Sequence, residues 1–137
     1  MDTDTHILIT GARRGIGKAA ATALDTPTTK LACHATQTGD DVTIAADFDE
    51  PGAASQTWSD ALDQLDGRID VLINNAGVFE ASPIDQDDDA WRNDFERTMR
   101  INLTASAELC RFAERQFQDN SGGRIVNIAS RAAYRGD

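Results

Sequence analysis

The residues of this sequence that could do chemistry begin with three closely spaced glycines. They lie in "TGARRGIG", residues 10–17, as Gly11, Gly15 and Gly17. Gly11 permits a tight turn, Gly15 lets a phosphate approach the backbone closely, and Gly17 lets a following helix pack against a sheet. A helix that starts here directs its free backbone amides at an anion. The spacing therefore indicates a nucleotide site, and the alternative is a glycine turn that holds no ligand.

The other common glycine-rich phosphate site, the loop of nucleoside triphosphatases, does not fit these residues. That loop requires a glycine, four residues, and then Gly-Lys followed by a Ser or Thr hydroxyl that binds Mg²⁺. Gly17 and Lys18 match, but Ala12 occupies the first glycine position and Ala19 the hydroxyl position. The sequence therefore excludes that kind of site.

Polar residues also follow or interrupt apolar segments at three later points. "NNAG", residues 74–77, ends a strongly apolar segment, Asn102 interrupts an apolar helical face, and Ser130 ends "GRIVNIAS". Buried amides require hydrogen-bond partners, so each asparagine needs a structural or a functional reason. Two interpretations stay open for each of the later residues. Asn102 either makes a structural hydrogen bond to nearby backbone or belongs to a functional site. Ser130 either closes a strand or donates its hydroxyl to a ligand.

Short apolar segments alternate with helical patterns, and this alternation positions the polar residues. Strands are predicted over residues 6–10, 30–36, 41–47, 69–77 and 123–130. Helices are predicted over residues 15–25, 52–66 and 87–118. The order predicts an α/β fold, a doubly wound parallel sheet of five strands in the order 3-2-1-4-5 with helices on both faces. Such sheets bind ligands at the carboxyl ends of their strands.

Composition excludes several classes of protein. The 137 residues suffice for one domain, and the net charge of −10 disfavours binding to nucleic acid. No apolar run is long enough to cross a membrane, and the start "MDTDTH" is acidic, unlike a signal peptide. The two cysteines fit no metal spacing, so we expect reduced thiols and a cytoplasmic protein. The acidic run at residues 85–91 is typical of a helix start, and we expect no metal site there.

Four of these motifs together resemble one family. "TGARRGIG", "NNAG", the helical pair Asn102–Leu103 and "GRIVNIAS" are similar to the motifs of the short-chain dehydrogenases/reductases and occur in that family's order. The resemblance covers essentially the whole chain. It implies a Rossmann-type sheet, NAD or NADP as cofactor, and hydride transfer between the nicotinamide and an alcohol or carbonyl substrate. The alternative is a dinucleotide-binding module without catalysis, such as a redox sensor or a scaffold subunit.

The resemblance implies roles for individual residues around the dinucleotide. The pyrophosphate would lie against Gly11, Gly15, Ile16 and Gly17. The adenine would contact Asp47, which ends the third predicted strand, with Phe48 beside it. The adenosine-ribose side of the cleft would be lined by Asn75, Ala76 and Gly77.

Asn102 and Ser130 match two members of the family's catalytic Asn-Ser-Tyr-Lys set. In that set the serine holds the substrate oxygen, the tyrosine exchanges the proton, the lysine lowers the tyrosine pKa, and the asparagine anchors a relay water. The family's tyrosine would fall beyond residue 137, and Tyr134 is a poor substitute because it follows Ser130 by only four residues. We therefore expect residues 1–137 to form a dinucleotide-binding domain that lacks the family's C-terminal strands and helices.

The residues near the second strand favour NADP over NAD. An NAD-specific site carries an acid at the end of that strand, where this sequence has Ala35 followed by Thr36. Arg14, just before the second glycine, matches the place where NADP-preferring relatives carry a base. Its guanidinium could bind the 2′-phosphate.

The long predicted helix, residues 87–118, carries more large apolar side chains than one sheet face easily covers. They are Trp91, Phe95, Leu109, Phe112 and Phe117. The family resemblance implies a homodimer or homotetramer built on this helix, and the alternative is simple packing against the core.

Overall fold

A parallel sheet of five strands organises the part of the chain that the computed structural model describes, residues 4–135. The strands are β1 (Thr5–Ile9), β2 (Thr29–Ala35), β3 (Ile44–Ala45), β4 (Val71–Asn74) and β5 (Arg124–Asn127). They lie in the order β3-β2-β1-β4-β5, and every neighbouring pair is parallel. The predicted doubly wound fold and strand order are confirmed.

The helices lie between these strands or after the last of them. They are α1 (Gly15–Leu24), α2 (Ala53–Gln64), α3 (Asp88–Met99), α4 (Ala105–Asp119) and the short α5 (Ala132–Arg135). The single long helix expected over residues 87–118 is interrupted, because residues Arg100–Thr104 between α3 and α4 are π-helical. Asp87 caps α3 by accepting a hydrogen bond from the Ala90 amide at 3.1 Å, as the helix-start interpretation of the acidic run requires.

Alternate residues of the strands face two separate hydrophobic cores. On β1, Leu8 faces the core formed with α2, α4 and the π-helical segment, while Ile7 and Ile9 face the core formed with α1. Both faces of the sheet are therefore covered around β1, whereas every residue of the edge strand β5 is exposed. The larger core buries Trp58 and Leu109, which lie on α2 and α4 at the helical spacing seen in the sequence.

Three predicted strands are shorter in the structure, and the fifth covers only Arg124–Asn127 of the predicted residues 123–130. The third covers only Ile44–Ala45, since a turn at Gly39–Val42 precedes it and a turn from Asp47 to Glu50 follows it. The fourth ends at Asn74, because the next two amides bond to the Thr10 side chain instead of to a neighbouring strand.

The two halves of the long helical region differ in burial. No residue of α3 is buried, and Trp91 and Phe95 remain 46% and 51% exposed while stacking on each other at 5.4 Å. On α4, Leu109 is fully buried and Phe112 packs against the core. Within residues 4–135, no helix combines the length and the apolar character needed to cross a membrane.

His34 should make stability depend on pH. Burial lowers the pKa of His34 from 6.5 to about 4, although a hydrogen bond to the Ala46 carbonyl and the charge of Asp47 oppose the shift. Between these pH values the unfolded chain binds a proton that the folded chain does not. The free energy of unfolding should therefore fall as the pH falls from 6.5 to 4, by about 1.4 kcal/mol per unit at most.

The matched variant is His34→Gln, whose amide can still donate to the Ala46 carbonyl. Urea denaturation of both proteins between pH 4 and 7.5 should show a shallower pH dependence for the variant. The carboxylates titrate alike in both proteins and cancel in the difference. Parallel curves would show that His34 does not carry this linkage.

Candidate functional site

The turn between β1 and α1 requires two of its glycines for backbone reasons. Gly11 and Gly15 have φ values of 67° and 56°, in the left-handed region that favours glycine. A Cβ at Gly11 would also lie 2.8 Å from the Cα of Ala76. A Cβ at Gly15 would meet nothing within 4 Å, so this backbone faces open space. The turn is thus closed on its protein side and open on its outer side.

Asn75 holds this turn against the end of β4. Its Nδ2 donates to the carbonyl oxygens of Thr10 and Gly11, both at 3.1 Å. In return, the buried Thr10 hydroxyl oxygen accepts from the backbone amides of Asn75 and Ala76, both at 3.0 Å. Four hydrogen bonds therefore fix the two strand ends relative to each other.

Gly17 lets α1 begin directly above this clamp. A Cβ at Gly17 would overlap the carbonyl oxygen of Gly11 and the Nδ2 of Asn75. The third glycine is therefore needed for close helix packing, as the sequence predicts. The first amides of α1 have no partner within a helix, and Gly15 and Ile16 are exposed beside them. The donor set and the open space fit an anion such as a pyrophosphate.

The segment after β3 differs in part from the expectation. Phe48 is only 7% exposed, and its ring stacks on His34 with centroids 4.1 Å apart. Its side chain therefore supports the core, and only its backbone is left to contact an adenine. Asp47 is half-buried and accepts a hydrogen bond from the Asp49 amide at 3.0 Å. Thr36 lies exposed just after β2 ends.

An ion-pair network that the sequence did not reveal ties this segment to α3. Asp49 lies 2.6 Å from Nε of Arg100 and 3.8 Å from Nε of Arg97, and Arg97 also pairs with Glu80. The hydrogen bond that Arg100 donates to the Asp49 carboxylate raises the pKa of Arg100. The loops that follow β3 and β4 are thereby joined to the same helix.

Asn102 lies within the π-helical segment and bonds to the chain after β4. Its Oδ1 accepts from the Val78 amide and its Nδ2 donates to the Val78 carbonyl, both at 2.8 Å. Gly77 lies beside it, since a Cβ there would be 3.4 Å from the same Oδ1. The structural interpretation of the Asn102 side chain is therefore satisfied, and its main chain lies in a π-helix, a feature often found at functional sites.

Ser130 follows β5, and its hydroxyl oxygen accepts a hydrogen bond from the Ala132 amide at 3.1 Å. The residue is exposed, so the hydroxyl proton is free to reach a ligand. Tyr134 is 93% exposed on α5 and makes no aromatic contact among the described residues. The structure gives no support to Tyr134 as a site residue.

A second asparagine pair joins β4 to β5. Asn74 is paired in register with Asn127, and its Nδ2 donates to the Asn127 Oδ1 at 2.9 Å and to the Cys110 Sγ at 3.3 Å. Sequence analysis assigned no role to Asn127 or Cys110. The available signal was the asparagines in two apolar segments that the fold places side by side.

The chain matches a known family over nearly all its length. A family model described as short chain dehydrogenase matches residues 5–136. D-threitol dehydrogenase of Mycolicibacterium smegmatis is 35% identical, in a match that covers 92% of this chain and 52% of that protein. Sorbitol dehydrogenase of Cereibacter sphaeroides is 30% identical, covering 95% of this chain and 54% of that protein. The chain thus spans about half the length of the curated relatives it matches.

Two solved structures share the fold. A blue fluorescent protein from a metagenomic library, in complex with NADPH, is 30% identical with a TM-score of 0.83, covering 99% of this chain and 60% of that one. NADH-dependent reductase A1-R′, complexed with NAD, has a TM-score of 0.86 at 24% identity, covering 99% of this chain and 64% of that one. At that lower identity, the second structure supports the fold alone.

Replacing Gly17 with alanine should test the clamp. The added Cβ of Gly17→Ala must push α1 away from the Gly11 carbonyl, which we expect to cost about 1–3 kcal/mol of stability. The control is Gly39→Ala, whose Cβ would make ordinary contact with Val42 at 3.5 Å without requiring a positive φ. Thermal melts of both variants of the complete protein provide the measurement, and equal melting temperatures would contradict the clamp.

Proposed function

The chain belongs to the short chain dehydrogenase family, and on that basis we propose that its protein is an NAD(P)-dependent oxidoreductase. The reaction would move a hydride between the nicotinamide and an alcohol or carbonyl carbon of a small substrate. We take residues 1–137 to be its dinucleotide-binding domain. The printed names of two relatives, D-threitol and sorbitol dehydrogenases, make polyols the first substrates to test.

The cradle at the start of α1 carries this proposal. A Cβ at Gly11 or Gly17 would clash with neighbouring protein atoms. The backbone of Gly15 faces open space beside the first amides of α1. NAD(P), when bound, supplies the carbon that gives or takes the hydride. We propose that the backbone of Gly15, Ile16 and Gly17 holds the pyrophosphate. Asp47 and the Phe48 backbone would contact the adenine, and the adenosine-ribose side would be lined by Asn75, Ala76 and Gly77.

Two residues are proposed to act on the substrate side. The Ser130 hydroxyl would donate to the substrate oxygen as negative charge develops there. Asn102 would serve the proton relay through its main chain, since both polar atoms of its side chain bind Val78. The alcohol proton must pass to a base whose pKa lies near the working pH. In the family's catalytic set, an adjacent lysine lowers the pKa of a tyrosine towards that range.

A dinucleotide-binding module without catalysis is the second candidate. The observation that favours it is that the side chains of Asn102 and Ser130 already have structural hydrogen bonds. Reading the coding sequence past Asp137 separates the two candidates. A Tyr-x-x-x-Lys motif shortly after Ser130 supports the enzyme, and a stop codon supports the binding module.

The assembly and location of the protein are further proposals. Exposed Trp91, Phe95 and Leu103 support a homodimer or homotetramer through α3 and α4. A cytoplasmic location is proposed from the composition, because two unpaired cysteines suit a reducing compartment.

We also propose that NADP is favoured over NAD. Arg14 should contribute to this preference, since its guanidinium is exposed beside the glycine turn and can pair with a 2′-phosphate. In fluorescence titrations of the complete protein, Arg14→Gln should weaken NADPH binding about two- to fivefold and leave NADH binding unchanged. Wild-type protein that binds NADH as tightly as NADPH would contradict the preference.

Ser130→Ala should separate catalysis from cofactor binding. Removal of this donor is expected to lower kcat about 10²- to 10³-fold in the complete protein, while NADPH affinity stays the same. Ser130→Thr keeps a hydroxyl and should recover part of the rate. Stopped-flow absorbance of NADPH provides the measurement, and a kcat within a few-fold of wild type would show that the Ser130 hydroxyl only accepts the structural bond from the Ala132 amide.

A further inference from the structure

The ion-pair network beside the proposed cofactor site joins two loops to one helical region. Its central carboxylate belongs to Asp49, in the turn that follows β3, and this side chain is only 26% exposed. Oδ1 of Asp49 lies 2.6 Å from Nε of Arg100, and Oδ2 lies 3.8 Å from Nε of Arg97. Arg97 also pairs with Glu80, in the chain that follows β4. Both loops are therefore tied to the junction between α3 and the π-helical segment.

Apolar packing holds the same junction together on its inner side. Phe48 and Ile101 are 7% and 6% exposed, and both belong to the larger core. In the chain they are the immediate neighbours of Asp49 and Arg100. The ion pair thus closes the outer side of a contact whose inner side is already packed. With both sides closed, the turn after β3 cannot shift without the start of the π-helical segment.

The junction connects the two segments to which the proposed function gives different tasks. Asp47 is proposed to contact the adenine, and its Oδ1 accepts a hydrogen bond from the Asp49 amide at 3.0 Å. Asn102 is proposed to serve the proton relay, and it lies two residues after Arg100 in the π-helical segment. A displacement at the Asp49–Arg100 pair would therefore reach both segments.

Stability alone does not account for this arrangement. Solvent screens ion pairs at a surface, and ordering two long side chains costs entropy, so isolated pairs contribute little to stability. Asp49 differs from such a pair because it meets two arginines that lie far from it in the chain. Glu96 gives a contrast within the same network. It lies 3.6 Å from Arg100 but is only four residues earlier in the chain, so it joins no separate segments.

We infer that Asp49 is a positioning residue that couples dinucleotide binding to the proton relay at Asn102. The inference rests on the proposed function, because that function puts the adenine at Asp47 and the relay at Asn102. With the ion pairs intact, a dinucleotide that orders the turn after β3 also orders the π-helical segment. Without the Asp49 carboxylate, the two segments respond separately to the dinucleotide.

The test measures backbone hydrogen exchange in the complete protein with and without NADH or NADPH. In the wild type, either dinucleotide should slow exchange both in residues 46–52 and in residues 100–106. In Asp49→Ala the first range should still respond, because the Asp49 backbone amide keeps its bond to Asp47. The slowing in residues 100–106 should become about three- to tenfold smaller, the range for coupled residues in one network.

Turnover gives a second readout of the same coupling. Asp49→Ala should lower kcat about three- to thirtyfold, because a displaced relay no longer meets the transferring proton in the productive geometry. The solvent deuterium isotope effect on kcat should rise, since proton transfer then limits the rate more strongly. Arg100→Gln removes the same pair from its other side and should reproduce both changes.

Glu96→Ala is the matched control, because it removes an acidic partner of the same Arg100 without separating the two segments. It should leave the exchange response, kcat and the isotope effect as they are in the wild type. Equal effects of Glu96→Ala and Asp49→Ala would overturn the inference, because any change of charge near Arg100 would then suffice.

The remaining outcomes separate the inference from the proposed function. Asp49→Ala that keeps the wild-type slowing in residues 100–106, or a kcat within a few-fold of wild type, overturns the inference alone. So does wild-type protein whose residues 100–106 ignore a bound dinucleotide. Loss of folding in both Asp49→Ala and Arg100→Gln makes the network a stability feature and overturns it as well. Wild-type protein that binds neither NADH nor NADPH overturns the proposed function together with it.

Discussion

The hydrogen bonds between Asn75 and the end of β1 are the constraint on which the candidate site depends. The side-chain amide of Asn75 donates to the carbonyl oxygens of Thr10 and Gly11. The Thr10 hydroxyl oxygen accepts from the backbone amides of Asn75 and Ala76. Buried backbone groups at strand ends would otherwise lack partners, at a cost of about 1–3 kcal/mol each. Because these bonds are internal, the amides at the start of α1 remain available for a ligand.

The same device recurs along this edge of the sheet. Asn74 and Asn127 join β4 to β5, and Asn102 joins the π-helical segment to Val78. An asparagine side chain carries two donor hydrogens and an acceptor oxygen, so it can add hydrogen bonds between segments beyond those of the backbone. Side-chain amides thus hold neighbouring segments together along this edge, although within residues 4–135 the buried Asn74 Oδ1 has no hydrogen-bond partner. The backbone at the start of α1 and the Ser130 hydroxyl face outwards from this edge.

Local pattern was sufficient to predict the sheet and the glycine turn. Alternating apolar segments gave the strand order, and the glycines between a strand and a helix gave the place of the turn. Features that depend on contacts between residues far apart in the chain could not be predicted from the sequence. The end of β4 depends on the Thr10 hydroxyl, and the burial of Phe48 depends on its stacking with His34. Adjacent Arg13 and Arg14 look equivalent in sequence, but in the fold Nη1 of Arg13 donates a hydrogen bond to Oε1 of Gln37 at 3.0 Å.

A crystal structure of the complete protein with NADPH would show where the pyrophosphate binds. We expect it to lie against the backbone of Gly15, Ile16 and Gly17, while the bonds from Asn75 to Thr10 and Gly11 stay as they are. A pyrophosphate bound elsewhere on the sheet edge, or an Asn75 that leaves the turn to bind the ligand, would contradict it.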